Sequence, residues 1–82
     1  MTENQIAFRD ALIDAYRDLF ANDPEYAYSA SRCTPEGLAD KMTQSMIAGT
    51  ANHEGAGFRR ACKSVGIKHT RKAIREYLGG AS

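Results

Sequence analysis

Tryptophan is absent from this chain, and three phenylalanines and four tyrosines are its only Phe or Tyr rings among 82 residues. A core must therefore be filled mostly by Leu, Ile, Met and Ala. At this length folding removes only about 60–65% of the unfolded surface from water, so the margin of stability is thin. Long apolar runs are missing as well: nothing approaches the roughly 20 residues of a membrane-spanning helix, and no membrane partner is expected. The polar opening Met1-Thr2-Glu3-Asn4-Gln5 leads straight into an amphipathic run and does not read as a signal peptide. Two cysteines, Cys33 and Cys62, are too few for a disulfide framework. Without an export signal, reduced thiols and a cytoplasmic location are the expectation.

Sustained alternation of apolar and polar residues is also lacking, so no sheet is expected, and with no strand there is no strand-to-helix phosphate loop. Cys33, His53, Cys62 and His69 match no CxxC or HxxxH spacing, so neither zinc nor another cofactor is expected. Cys62 falls in an apolar stripe, where cysteine acts as a small hydrophobe, and nothing near Cys33 would activate it. No catalytic residue is assigned, and the chain reads as non-enzymatic.

Helical periodicity is abundant. Phe8, Ala11, Leu12, Ala15, Tyr16 and Leu19 form one apolar stripe on a first helix from about Asn4 to Ala21, widened by Ile13 and Phe20. Asn22-Asp23-Pro24 stops it, because a residue before proline is pushed out of the α region. Asp23-Pro24 then reads as a cap and first position of a short element through Tyr28, and the Ser-rich stretch to Arg32 fits a loop equally well. Thr34-Pro35-Glu36 starts a helix with Leu38, Ala39, Met42, Met46 and Ile47 inward and Gly49 as its stop. A third helix is expected from Thr50-Ala51-Asn52 to Gly66, weakened by Gly55 and Gly57, with Phe58, Ala61, Cys62 and Val65 inward. Thr70 caps the last helix, which turns Ala73, Ile74, Tyr77 and Leu78 inward and ends at Gly79-Gly80. The expected fold is a compact all-α bundle of four helices with room for a short fifth.

A net charge of +1 conceals a strong polarity. Residues 1–51 carry eight carboxylates against four bases, or −4, and residues 52–82 carry seven bases against two carboxylates, or +5. Asymmetry of this kind points to an anionic partner for the second half, or to mutual attraction of the halves. Arg59, Arg60 and Lys63 lie opposite the third helix's stripe, and Arg71, Lys72 and Arg75 opposite the fourth's, with Lys68 and His69 between. With Thr70 these form a candidate nucleic-acid surface making salt-sensitive phosphate contacts. The tight connection at Gly66 gives the pair the outline of a helix-turn-helix. A DNA-reading motif would bury the sixth and ninth residues after that glycine, here Lys72 and Arg75, so the turn would have to be lengthened.

A second constellation is acidic. Asp10, Asp14 and Asp18 stack at i, i+4, i+8, where like charges cost about 0.2–0.5 kcal/mol per pair, and Arg17 is placed to relieve them. Such a ridge, or an exposed patch at Tyr26 and Tyr28, would suit a protein partner. The segment Gly66-Ile67-Lys68-His69-Thr70-Arg71-Lys72-Ala73-Ile74-Arg75-Glu76-Tyr77-Leu78 resembles the tail of short uncharacterised phage and prophage proteins of proteobacteria. That resemblance implies a mobile-element accessory protein and assigns no activity. Three functions are therefore expected in order: nucleic-acid binding, inhibition of a host protein, and homodimerisation of a small helical core.

Overall fold

Thr2 and Gln5 open the first helix. The Thr2 hydroxyl accepts from the Gln5 N–H at 3.2 Å and the Gln5 side chain accepts from the Thr2 N–H at 3.0 Å, a capping box. The helix so begun, α1, runs Glu3–Asn22 and ends where Asp23 turns extended ahead of Pro24. It buries the six residues of the expected stripe, with Ile13 and Phe20 half-buried at its edges. The computed structural model describes residues 1–79; Gly80 of the expected terminal stop lies outside them.

The segment left open between loop and helix is helical. Asp23 caps a single 3₁₀ turn, Pro24–Tyr26, by accepting from the Glu25 N–H at 3.0 Å, and α2 follows directly over Ala27–Arg32. The reason is local: Pro24 fixes the first φ, and Tyr26 packs back on α1 against Tyr16 and Phe20 at centroid distances of 6.1 and 6.2 Å. Thr34 then caps α3, Pro35–Ala48, accepting from the Gly37 N–H at 3.0 Å, and Gly49 ends it in the left-handed region at φ 81°. The residues of α3 that are fully enclosed are Ala39, Thr43 and Met46, while Leu38, Met42 and Ile47 are half-buried. Thr43 tolerates this because its hydroxyl donates to the Ala39 carbonyl at 2.8 Å.

The expected start of the third helix at Thr50–Asn52 is incorrect. Residues 50–55 form an irregular connection, and α4 spans Ala56–Val65. Asn52 competes with helix formation by accepting from the Glu54 N–H at 2.9 Å, and Ala51 is drawn into the core. Gly66, at φ 77°, ends α4; Thr70 caps α5, Arg71–Leu78, by accepting from the Ala73 N–H at 3.1 Å.

Among the described residues the fold is thus all-α, with five α-helices and no strand. α1 is the centre: α3 and α4 both pack along it, and α5 lies across α1 and α3. The Phe8 ring sits between Phe58 of α4 and Tyr77 of α5 and ties three helices together. The side-chain amides of Asn4 and Gln5 donate to the Tyr77 and Leu78 carbonyls at 3.0 and 2.9 Å, satisfying acceptors that α5 leaves open at its end. No described helix is long and apolar enough to cross a membrane.

Candidate nucleic-acid interface

The turn between α4 and α5 is the lengthened one that the sequence demands, Gly66 to Thr70. It does not produce the packing of a helix-turn-helix. α4 docks on α1 and α5 on α1 and α3, and neither leans mainly on the other. Apolar positions explain this: Phe58 and Tyr77 both close on Phe8, while Ile74 and Leu78 are enclosed in the shared core.

The nine residues expected to face nucleic acid divide into two groups. Arg59, Lys63, Lys68 and Lys72 are exposed and have no partner among the described residues. Arg59 and Lys63 stand one turn apart on the outward face of α4, about 6 Å along the axis. The others serve the fold. Thr70 is a helix cap, and the half-buried His69 bonds through Nε2 to the His53 carbonyl, with the two imidazoles edge to face at 5.7 Å. Arg71 donates to the Ala51 carbonyl at 3.1 Å, and the Arg75 guanidinium lies against Gly49, where an added Cβ would come within 3.7 Å of its Cζ. Both arginines therefore gather at the C-terminal end of α3, whose own last turn carries no base. Cations at that negative pole typically contribute about 0.3–1 kcal/mol each.

Arg60 turns the other way. It pairs with Asp18 of α1, so one member of the acidic ridge neutralises one member of the basic face. The attraction between oppositely charged halves is real at this point. Asp18 also accepts from the Asn22 amide at 2.8 Å. The hydrogen bond from Arg60, with that from Asn22 second, holds the Asp18 carboxyl below the usual carboxylate range. Arg17, expected to relieve the ridge, reaches instead across to Glu36 of α3, with its Nη2 at 2.8 Å. Glu36 is likewise lowered, first by its own backbone N–H and then by Arg17. Asp10 meets Arg9 at 3.5 Å, and Asp14 is exposed.

These pairs have a pH signature. A carboxyl lowered in the folded state contributes stability that is present above its unfolded value of about 4 and is lost as pH falls through the lower folded value. Asp18→Asn is expected to flatten the acid limb of a melting-temperature profile by lowering the neutral plateau slightly toward an unchanged acid end. The effect should be small and fade in salt, since both partners are exposed. An unchanged acid limb would mean that Asp18 and Arg60 do not pair in solution.

The tyrosine patch separates. Tyr26 is half-buried in a ring cluster with Tyr16 and Phe20, and its hydroxyl accepts from the Gly57 N–H at 3.4 Å. Tyr28 is 69% exposed, with the Arg32 guanidinium 5.0 Å above its ring. Burial pushes the Tyr16 phenol, with Tyr26 and Cys33 nearby, above its ordinary range, and pushes the Cys62 thiol up too. Both stay protonated near neutral pH and are poorly suited to acid–base or nucleophilic work. Among the described residues no group of three or more His, Cys, Asp or Glu side chains gathers in metal-binding geometry.

Sequence reasoning missed two acceptors in the 50–55 connection, the Ala51 carbonyl that holds Arg71 and the His53 carbonyl that holds His69. No residue-type signal marks a backbone carbonyl as the partner of a distant side chain. It also passed over Thr2 and Gln5, although Thr-x-x-Gln ahead of an apolar run is a legible capping signal. Comparison of the chain with family models, curated proteins and solved structures finds no match in any of the three.

Proposed function

We propose that this protein is a non-enzymatic binding module that contacts nucleic acid through Arg59, Lys63, Lys68 and Lys72. The observation that carries this is the set of four exposed cations without a partner among the described residues, within fourteen positions of the chain. Neighbouring bases are already committed to Asp18 and Ala51. Cations left unpaired on a small domain gain most from a polyanion, because each phosphate contact releases condensed counterions.

Four such contacts predict that affinity falls with salt at a log–log slope of about −3 to −4. Between about 50 and 200 mM salt this is a loss on the order of a hundredfold. Changing Arg59, Lys63, Lys68 and Lys72 together to glutamate is expected to abolish binding in an anisotropy titration. The variant should keep its helical circular dichroism, since none of the four side chains is buried. Wild-type affinity in a folded quadruple variant would remove the proposal.

A second reading rests on a different surface. Tyr28, exposed beneath Arg32, and the exposed Asp10 and Asp14 suit a protein partner. With the resemblance to phage and prophage proteins, that partner would be a host protein held in an inhibited state. Binding through Tyr28 would survive the quadruple charge reversal and fail in Tyr28→Ser.

A further inference from the structure

Resting on the nucleic-acid reading above, we infer that the ligand is a double helix held by its phosphate backbone, without selection of a base sequence. Two properties of the cationic surface lead there. The first is that no exposed aromatic ring accompanies the cations. Phe8, Tyr16 and Phe58 are buried, and Phe20, Tyr26 and Tyr77 are half-buried. Tyr28, the exposed ring, belongs to α2 and is covered on one face by Arg32. From Arg59 to Lys72 there is no Phe, Tyr or Trp, and His69 is held against His53. Single-strand binders obtain much of their affinity by stacking bases on such rings along a charged groove. One open groove, of about 390 Å³, lies away from these cations, between the first turn of α1 and the end of α5. It is lined by Glu3 and Glu76 and by no base, so it repels a phosphate chain.

The second property concerns base reading. Sequence is read in the major groove chiefly by bidentate arginine or amide side chains on an inserted helix. On α5 the two arginines are turned to the end of α3, Arg71 onto the Ala51 carbonyl and Arg75 onto Gly49. The exposed bases of α5 are Arg71, whose Nη2 is engaged by the Ala51 carbonyl, and Lys72, a point charge without a planar fork, beside Glu76. Arg59, the exposed arginine without a partner among the described residues, lies not on α5 but on α4. There it stands in one outward row with Lys63, and the two form a pair of adjacent positive charges. Cations on convex helix faces suit a duplex, which carries about one charge per 1.7 Å of axis over both strands.

The test is an anisotropy titration of the full chain at one low salt concentration. The probes are two labelled duplexes of unrelated sequence and a homothymidine strand of the same length. The duplexes should bind within about threefold of each other, far short of a specific site's preference. Both should bind about tenfold more tightly than the strand, which offers fewer phosphates per unit length and finds no ring to stack on. A strand that binds as well as the duplexes overturns the inference, and so does a tenfold preference for one duplex; in both cases the nucleic-acid reading stands. Failure of all three probes to bind brings down that reading and this inference with it.

Discussion

Replacing Phe8 with alanine is expected to lower the melting temperature by about 15–30 °C. The side chain is fully enclosed, and its ring contacts Phe58 at a centroid distance of 5.8 Å and Tyr77 at 6.4 Å. Truncating a buried phenylalanine typically costs about 3–5 kcal/mol, part from lost transfer energy and part from the cavity left behind. A domain of this size holds about 4–12 kcal/mol in total, so one substitution removes a large share of it. Phe8→Leu keeps most of the volume and should cost about 1.5 kcal/mol or less. Thermal denaturation followed by circular dichroism measures both. Equal, small losses for the two variants would mean that Phe8 does not join α1, α4 and α5.

Gly57→Ala is the second substitution with a large expected effect, and its sign runs against helix propensity. In the body of a helix alanine is favoured over glycine by about 1 kcal/mol. Here an added Cβ would stand 2.3 Å from Cε1 of Tyr16 and 2.9 Å from its Cζ. That ring has little room to retreat: Tyr16 is buried, with Phe20 at 5.9 Å and Tyr26 at 6.1 Å. Overpacking of this kind costs about 1–3 kcal/mol, which predicts a fall in melting temperature of about 10 °C. The cause can be isolated. In a Tyr16→Leu background the same change should become neutral or stabilising, as the clash is gone and propensity remains. Equal destabilisation in both backgrounds would place the constraint somewhere other than the Tyr16 ring.

Gly57 also shows how the fold exceeds what periodicity can say. As a residue in a helix's first turn it reads as a weak point. Its purpose is visible only once α4 is laid on α1, where the missing side chain lets the backbone approach Tyr16. The irregular connection before it is similar. Asn52 and Gly55 lie in a stretch that continues the helical pattern, and the chain leaves it because Ala51 is buried and Asn52 caps its own turn. The glycines at the helix ends behave otherwise. Gly49, Gly66 and Gly79 all take positive φ, and each was recognisable from its place just past the last apolar residue.

The candidate site followed the same division. That the second half is basic is a matter of counting, and that the bases lie outside the core follows from helical spacing. Which of them remain available does not. On sequence grounds Arg71, Lys72 and Arg75 make the natural test set. Arg71 and Arg75 serve α3's C-terminal end, and Lys72 alone of the three is without a partner among the described residues. A variant built on all three would risk the fold as well as the surface.

The sequence by itself determined the helical class, the caps at Thr34 and Thr70, the stripe of α1 and the separation of charge. Those properties depend on residues within a few positions of one another, where spacing fixes which side chains share a face. Tertiary structure alone decided that α4 and α5 dock separately on α1, that Arg60 answers Asp18, and that four cations are left over. Those outcomes depend on groups 20 to 69 positions apart, from Arg71 and Ala51 to Phe8 and Tyr77, brought together by burial of Phe8 and its neighbours. Local periodicity carries no information about which distant backbone carbonyl or carboxylate a long, flexible side chain will reach.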